Sequence, residues 1–177
     1  SQDPVIILPL SAIEQHGPHL PLSTDFDIGN GILERALRDL PPNFPVWTLA
    51  PQVVGCSNEH EDFDGTLSLN QETLSQLICE YGTSLARVGI KRMLISNSHG
   101  GNVSSIDSAS INLRKTHGLL VVKSHYFQLP HPDQLEIPDS EWKHGIHGGA
   151  VETSMMLHLR PDLVRNHLIT ENRSLSQ

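Results

Sequence analysis

The sequence predicts a three-layer α/β/α protein, in which helices cover both faces of a mostly parallel β-sheet. Short apolar runs rich in β-branched residues alternate along the chain with segments whose apolar residues recur at helical spacing. This alternation is typical of sheets built from β–α–β units. A chain of 177 residues without an internal repeat, a low-complexity tract or a linker suits a single domain over residues 1–177.

Four segments are predicted to be strands. The first is Val5–Leu10, and the others cover residues 46–50, 92–96 and 119–123. Each segment is a short apolar run, as expected of a strand that is buried between two layers of helices.

Four further segments are predicted to be helices. They cover residues 28–40, 71–85, 103–115 and 149–159, and their apolar residues lie three or four positions apart. Asn70 precedes the second of them and is a favourable N-cap residue. The segment at about 127–140 is rich in Pro, His and Asp and is expected to be a loop.

The composition argues against several classes of partner. The formal net charge is −8 and no run of Lys or Arg is present, so nucleic acids and anionic membranes are not expected to bind. No apolar run approaches the roughly 20 residues of a membrane helix, and the first residues lack the basic region of a signal peptide. Cys56 and Cys79 are expected to be reduced thiols. We therefore expect a cytoplasmic location.

Histidine is unusually abundant, with 11 residues against 12 Lys plus Arg. The histidines could form a weakly charged surface, or a pH-sensing one, or they could form a metal site, because neutral imidazole is the commonest metal ligand in proteins. Ligands of parallel α/β sheets bind outside the carboxyl ends of the strands. A metal site therefore requires histidines in the loops that follow strands, and the chain has them there.

The loop after the first predicted strand contains Glu14, His16 and, just before the first predicted helix, Asp25. In an extended backbone residues i and i+2 point the same way, so Glu14 and His16 can face one point. Two carboxylates and an imidazole suit Zn²⁺, Mn²⁺ or Fe²⁺, and the two oxygens of Asp25 allow it to bridge two ions. Alternatively, Asp25 is only a helix N-cap and His16 an ordinary loop residue.

Two later segments supply further candidate ligands. The loop after the third predicted strand contains His99, Gly100, Gly101 and Asn102, although a glycine-rich turn with an incidental histidine, or a phosphate site, would read the same way. Glu152 lies on the apolar face of the last helix, where an ionised carboxylate needs a partner such as a metal ion, a buried Arg or the helix N-terminus. The acidic segment 55–67 could line a pocket or form a solvated loop.

These segments resemble the signature blocks of the creatininase family. The opening block is Leu-Pro-Leu-Ser-Ala-Ile-Glu-Gln-His-Gly-Pro-His-Leu-Pro-Leu-Ser-Thr-Asp at residues 8–25. It is followed in the family order by Phe-Asp-Gly-Thr-Leu-Ser-Leu (63–69), Asn-Ser-His-Gly-Gly-Asn (97–102) and His-Gly-Gly-Ala-Val-Glu-Thr-Ser (147–154). The resemblance spans nearly the whole chain, and family members usually extend further at both ends.

The resemblance implies a two-metal hydrolase that cleaves a C–N bond in a cyclic or linear amide with a metal-activated water. One ion would take Glu14, Asp25 and His99, and the other would take His16 and the bridging Asp25. His147 matches the position proposed as proton carrier in creatininase. Zn²⁺ is the expected ion, with Mn²⁺ or Fe²⁺ as alternatives, and a homo-oligomer is the expected assembly.

The chain departs from creatininase itself at Gly101, because that enzyme has a glutamate two residues after the histidine of this loop. We therefore expect Glu152 to complete the second metal site, or to share the proton transfer with His147. Candidates for substrate binding are His19, His60, Gly100, Gly101 and Asn102. The expected substrate is a lactam, a formamide or a peptide-like amide. The alternative function is a non-catalytic protein of the same fold that binds a metal or a small molecule.

Overall fold

A computed structural model of the chain describes residues 3–130 and 135–171. In chain order the elements are β1 (Val5–Leu10), α1 (Thr24–Asp39), β2 (Val46–Thr48), α2 (Gln71–Arg87), β3 (Arg92–Asn97), α3 (Val103–His117), β4 (Leu120–His125), α4 (Asp139–His144) and α5 (Ala150–Leu159). Short 3₁₀ turns occur at Asn58–His60 and Gly100–Asn102, among others. The predicted α/β class is confirmed.

The four strands of the described residues form one parallel sheet in the order β2-β1-β3-β4. From β1 the chain moves outward to β2, then returns past β1 to β3 and continues to β4. The direction of winding thus reverses between β1 and β3, whose carboxyl ends lie side by side with Leu10 opposite Asn97. In open α/β sheets this switch point is where ligands bind.

Both faces of the sheet are covered by helices. On one face, α2 and α3 pack on the strands through a buried core made of Leu8, Leu10, Cys56, Leu74, Ile78, Met93, Ile95, Ile106, Ala109, Leu113 and Leu119. A second buried cluster joins α1 and α5 through Ile28 and Met156, together with Leu20 and Val164. Each fully buried aliphatic side chain of this kind contributes about 1.5–3 kcal/mol relative to an exposed one. The second cluster fixes α1 and α5, the helices that carry Asp25 and Glu152.

Most element boundaries differ from the predicted ones by one to four residues; for example, β4 covers Leu120–His125 and α2 ends at Arg87. Helix α1 begins at Thr24, so Asp25 lies in its first turn and not before it; the first turn is polar, and the apolar periodicity starts only at Ile28. Strand β2 ends at Thr48. Helix α4 lies partly in the predicted loop, since six residues after Pro138 are too short for a periodic pattern. Residues 131–134 of that loop lie outside the described residues.

The predicted cap of α2 is confirmed. The side-chain oxygen of Asn70 accepts a hydrogen bond of 2.8 Å from the backbone N–H of Thr73. None of the helices in the described part of the chain is both long and apolar enough to cross a membrane.

Candidate metal centre

The loop after β1 directs Glu14 and His16 into the protein. The backbone N–H of Glu14 donates to Leu22 O at 3.1 Å, which holds the segment in an extended form. Glu14 and His16 are each only 1% exposed. Gly17, at a φ of +77°, then turns the chain in a conformation that other residues rarely adopt. The predicted common orientation of the two side chains is therefore found in the structure.

Asp25 lies between two histidines. Its Oδ1 is 3.2 Å from His16 Nε2, and its Oδ2 is 3.0 Å from His99 Nδ1. Glu14 Oε1 is 3.3 Å from the same nitrogen of His99. The first turn of α1 and the loops after β1 and β3 thus meet at the switch point of the sheet, with one oxygen of Asp25 facing each imidazole.

Glu152 enters the cluster from the first turn of α5. Its Oε2 accepts a hydrogen bond of 2.6 Å from the backbone N–H of Gly148 and lies 3.9 Å from His16 Nε2. Gly148 has a φ of +62°, and a Cβ there would lie 2.9 Å from His16 O. Only glycine permits this close approach, which sets the carboxylate of Glu152 beside His16.

Among the described residues, four groups of side chains have the arrangement of metal ligands. Two of them, Glu14 with His16 and His147 and Glu14 with Glu59 and His60, include residues that are not buried; the other two are wholly buried. Glu14, Asp25 and His99 form one, and His16, Asp25 and Glu152 form the other; within each group the ligand atoms lie within 4.8 Å of one another. All five residues are buried. Asp25 belongs to both buried groups, so a single carboxylate joins them.

Buried charge dominates the electrostatics of the cluster. Burial raises the pKa of Glu152 to about 7, and the negative charges of Asp25 and Glu14 contribute although His16 opposes them. Burial alone would lower the pKa of His16 and of His99. The adjoining carboxylates outweigh it, chiefly Asp25 for His16 and Asp25 with Glu14 for His99, and raise these pKa values to about 9 and about 12. Three carboxylates that are buried together are therefore stabilised by nearby positive charge.

Divalent ions fit this cluster. Glu14 Oε2, His16 Nε2 and Asp25 Oδ2 are buried and have no hydrogen-bond partner among the described residues. A buried polar atom without a partner is costly, and a metal ion would satisfy each of these. A set of imidazole nitrogens and carboxylate oxygens without a thiolate suits Zn²⁺, Mn²⁺ or Fe²⁺.

His147 stands at the edge of the cluster as part of a stack of three imidazoles. Its ring centroid is 4.3 Å from that of His16 and 4.1 Å from that of His60. His147 Nε2 lies 2.6 Å from Gln15 O and 3.0 Å from Gln15 Nε2. A carbonyl oxygen only accepts, so the shorter contact assigns the hydrogen to this nitrogen of His147. Nδ1 then presents a lone pair, 3.6 Å from Glu14 Oε1. Burial, followed by the charges of His16 and His60, lowers the pKa of His147 to about 4. The imidazole is therefore neutral at pH 7.

The residues predicted to bind substrate occupy different environments. His60 is half-buried in the imidazole stack, and Gly100 is exposed with open space around it. Asn102 is fully buried, and its amide group is bonded to Ser11 O, Asn97 Oδ1 and Cys56 N. The Asn102 side chain therefore ties loops together, and its contact with a substrate stays a prediction.

His19 and Gly101 also lie beneath the surface of the site. His19 Nε2 is 2.9 Å from Thr153 Oγ1, which joins the first loop to α5. The half-buried Gly101 packs against Cys56 O and His99. Direct contact of either residue with a substrate stays a prediction.

Three residues near the centre were not singled out from the sequence. Gln15 accepts from Gly17 N through Oε1 at 2.9 Å, which turns its Nε2 toward His60 Nδ1 at 3.3 Å. Glu59 Oε1 lies 3.4 Å from His99 Nε2. Burial, then the charges of Glu152 and Asp25, raise the pKa of Tyr126. Each carried a weak signal: Tyr126 follows the carboxyl end of a strand, Gln15 lies between two candidate ligands, and Glu59 lies in the acidic segment 55–67.

The fold and the cluster define a class of protein: a parallel α/β domain with a carboxylate–histidine centre, suited to divalent ions, at the switch point of its sheet. A family model described as creatininase, creatinine amidohydrolase, matches residues 1–177. The chain therefore belongs to the creatininase family, as the signature blocks predicted.

Relatives of known name share a third of the sequence. A mycofactocin precursor peptide peptidase of Mycobacterium tuberculosis is 36% identical over 177 residues, covering 93% of this chain and 62% of that protein. The creatinine amidohydrolase of Pseudomonas putida is 32% identical over 177 residues, covering 92% of this chain and 66% of that protein. The chain thus spans about three-fifths of the length of such peptidases, 60% for the one from Mycobacterium ulcerans.

Solved creatininase structures have the same fold. A creatininase described with Mn superposes with a TM-score of 0.74 at 28% identity, covering 96% of this chain and 70% of that chain. A mutant creatininase of Zn–Zn type gives 0.73 at 27% identity with the same coverage. A putative creatinine amidohydrolase from Bacteroides fragilis gives 0.77 at 25% identity, covering 99% of this chain and 70% of that chain.

Proposed function

We propose that the chain is a metal-dependent amidohydrolase that cleaves a C–N bond of a cyclic or linear amide. The observation that carries the proposal is the position of Asp25, with one oxygen facing His16 and the other facing His99 inside a buried carboxylate cluster. The names of the relatives, a peptidase and a creatinine amidohydrolase, agree with a reaction at a C–N bond. A small amide, either a lactam, a formamide or a short peptide, is the proposed substrate.

Five side chains would hold two ions. Glu14, Asp25 and His99 would bind the first, and His16, Asp25 and Glu152 would bind the second. When bound, such a pair lowers the pKa of water toward neutrality and polarises a carbonyl group. Creatininase has a glutamate at the position of Gly101, and Glu152 would supply the carboxylate that is missing there. As a ligand it would be a poor base, so the proton transfer would fall to another group.

His147 is the proposed proton carrier. Its Nε2–H is committed to Gln15 O, so Nδ1 is the atom that accepts a proton at the site and returns it to the departing nitrogen. Stacking between His16 and His60 keeps the ring in this orientation. His60, held by Gln15, and the open backbone at Gly100 are the proposed contacts of the substrate.

Turnover of a panel of lactams, formamides and short peptides, with and without a chelator, tests the proposal. The metal-loaded protein is expected to hydrolyse at least one of them, and chelation to abolish the reaction. The matched variant His147→Gln is expected to keep its metal and to lose about 10²–10⁴-fold in turnover, the usual contribution of a general acid–base. Full metal content with no turnover of any panel member would favour the non-catalytic alternative, and turnover that survives chelation would contradict metal dependence.

A further inference from the structure

The space beside Gly101 is shared by three groups. A Cβ at residue 101 would lie 2.1 Å from Cys56 O, 2.5 Å from His99 Nε2 and 2.8 Å from Glu59 Oε1. Cβ atoms essentially never come this close to other heavy atoms. Residue 101 can therefore carry no side chain while the loop at residues 56–59 stays in place.

That loop is fastened to the site. The N–H of Cys56 donates to Asn102 Oδ1 at 2.8 Å, and the N–H of Ser57 donates to Ser68 Oγ at 2.9 Å. Cys56, Ser57 and Asn102 are each at most 2% exposed. Movement of the loop away from residue 101 would break these bonds in a buried place, so the loop and the glycine are fitted to each other.

Glu59 brings a carboxylate to the far side of His99. The two nitrogens of His99 face opposite groups: Nδ1 faces Asp25 and Glu14, and Nε2 lies 2.8 Å from Cys56 O and 3.4 Å from Glu59 Oε1. A carboxylate at the remote nitrogen of a ligating histidine orients the ring and raises its basicity.

We propose that Glu59 is a positioning residue for His99 and thereby strengthens the binding of the first metal ion. The carboxylate of Glu59 can lie beside His99 because residue 101 is glycine and has no side chain there. The inference rests on the proposed metal-dependent function. Glu14, Glu59 and His60 also lie close enough together to hold an ion. We assign Glu59 to positioning His99 because it contacts the nitrogen of His99 that points away from Asp25. Half-exposed at the rim, it acts through the imidazole.

Metal titration of the stripped protein with Zn²⁺ and with Co²⁺, against a competing chelator, tests this role. Glu59→Gln keeps the size of the side chain and removes its charge, and we expect about 10-fold weaker binding at the first site, at the lower end of the range for such partners. A changed Co²⁺ absorption spectrum is also expected, since the ligand field depends on His99. Glu61→Gln, which neutralises an exposed acid two residues further on, should match the wild type in both readouts.

The outcomes separate this inference from the proposed function. A wild-type protein that binds no stoichiometric metal would contradict both. The role of Glu59 alone would be overturned by a different result. In that case the wild type binds two ions, and Glu59→Gln has the same metal affinities and the same Co²⁺ spectrum as the wild type. Equal weakening by Glu59→Gln and Glu61→Gln would also overturn it, because the effect would then be a general one of surface charge. Unchanged thermal unfolding of the stripped Glu59→Gln protein checks that the fold is intact.

Discussion

At the scale of single residues, the charge of the centre follows from how closely its carboxylates are buried together. Glu14, Asp25 and Glu152 come from three separate segments, yet none is more than 7% exposed. In the stripped protein, protons on His16 and His99 offset this negative charge, which is why the pKa values of both imidazoles are raised, to about 9 and about 12.

This charge balance predicts that metal binding releases protons. At pH 7 both histidines are protonated, and Glu152, with a pKa of about 7, is partly protonated, whereas a metal ion binds neutral imidazole and carboxylate. About two to three protons should therefore leave when both ions bind. Because protons are released on binding, a lower proton concentration favours the bound state, and the affinity should increase between pH 6 and pH 8. Calorimetric titrations of the stripped protein in buffers of different ionisation enthalpy measure the number directly; equal heats in all buffers would contradict the prediction.

Residue types and spacing predicted most of the candidate ligands, but not the residues that contact and position their neighbours. Glu14, His16 and Asp25 lie close together in one loop, so their meeting could be expected from chain direction alone. Gln15 and Glu59 could not be found in this way. Gln15 lies between two candidate ligands in the sequence, but its side chain contacts His60, 45 residues away. Glu59 is one of several acidic residues in an exposed turn. Their roles depend on which loops touch, which local patterns do not encode.

At the scale of elements, the termini of helices place the reactive groups. Asp25 lies in the first turn of α1 and Glu152 in the first turn of α5, where the helix dipole favours negative charge. The apolar periodicity located both helices. It misplaced the start of α1 because the first turn is polar, and it missed α4 because that helix is too short to show a pattern.

Helix α2 offers a test of stability that leaves the centre untouched. Asn70→Ala removes the acceptor of the Thr73 N–H and should cost about 1 kcal/mol in the free energy of unfolding. The control Gln76→Ala, at an exposed position of the same helix, should change it by less than about 0.5 kcal/mol. Because α2 packs on the face opposite α1, metal content should stay the same in both variants. Denaturant unfolding measures the difference, and equal stability of the two variants would contradict the cap.

At the scale of the whole molecule, the order of the strands brings the site together. Because the chain winds outward from β1 in one direction and from β3 in the other, the loops after these two strands meet at a crevice. The alternation of strands and helices predicted the class of fold, whereas the order β2-β1-β3-β4 depends on long-range pairing that the local pattern does not specify. Homo-oligomer formation and a cytoplasmic location stay predictions.

Metal content per chain tests the central claim, that Asp25 joins two metal sites, most directly. The protein would be stripped, reloaded with Zn²⁺, freed of excess ion and measured by elemental analysis as wild type, Asp25→Asn and Asp27→Asn. Asp27 is the matched control, since it lies on the same helix but bonds to Ser23 and Arg160. We expect two ions per chain in the wild type and in Asp27→Asn, and loss of both in Asp25→Asn. Two ions retained by Asp25→Asn would contradict the bridging role.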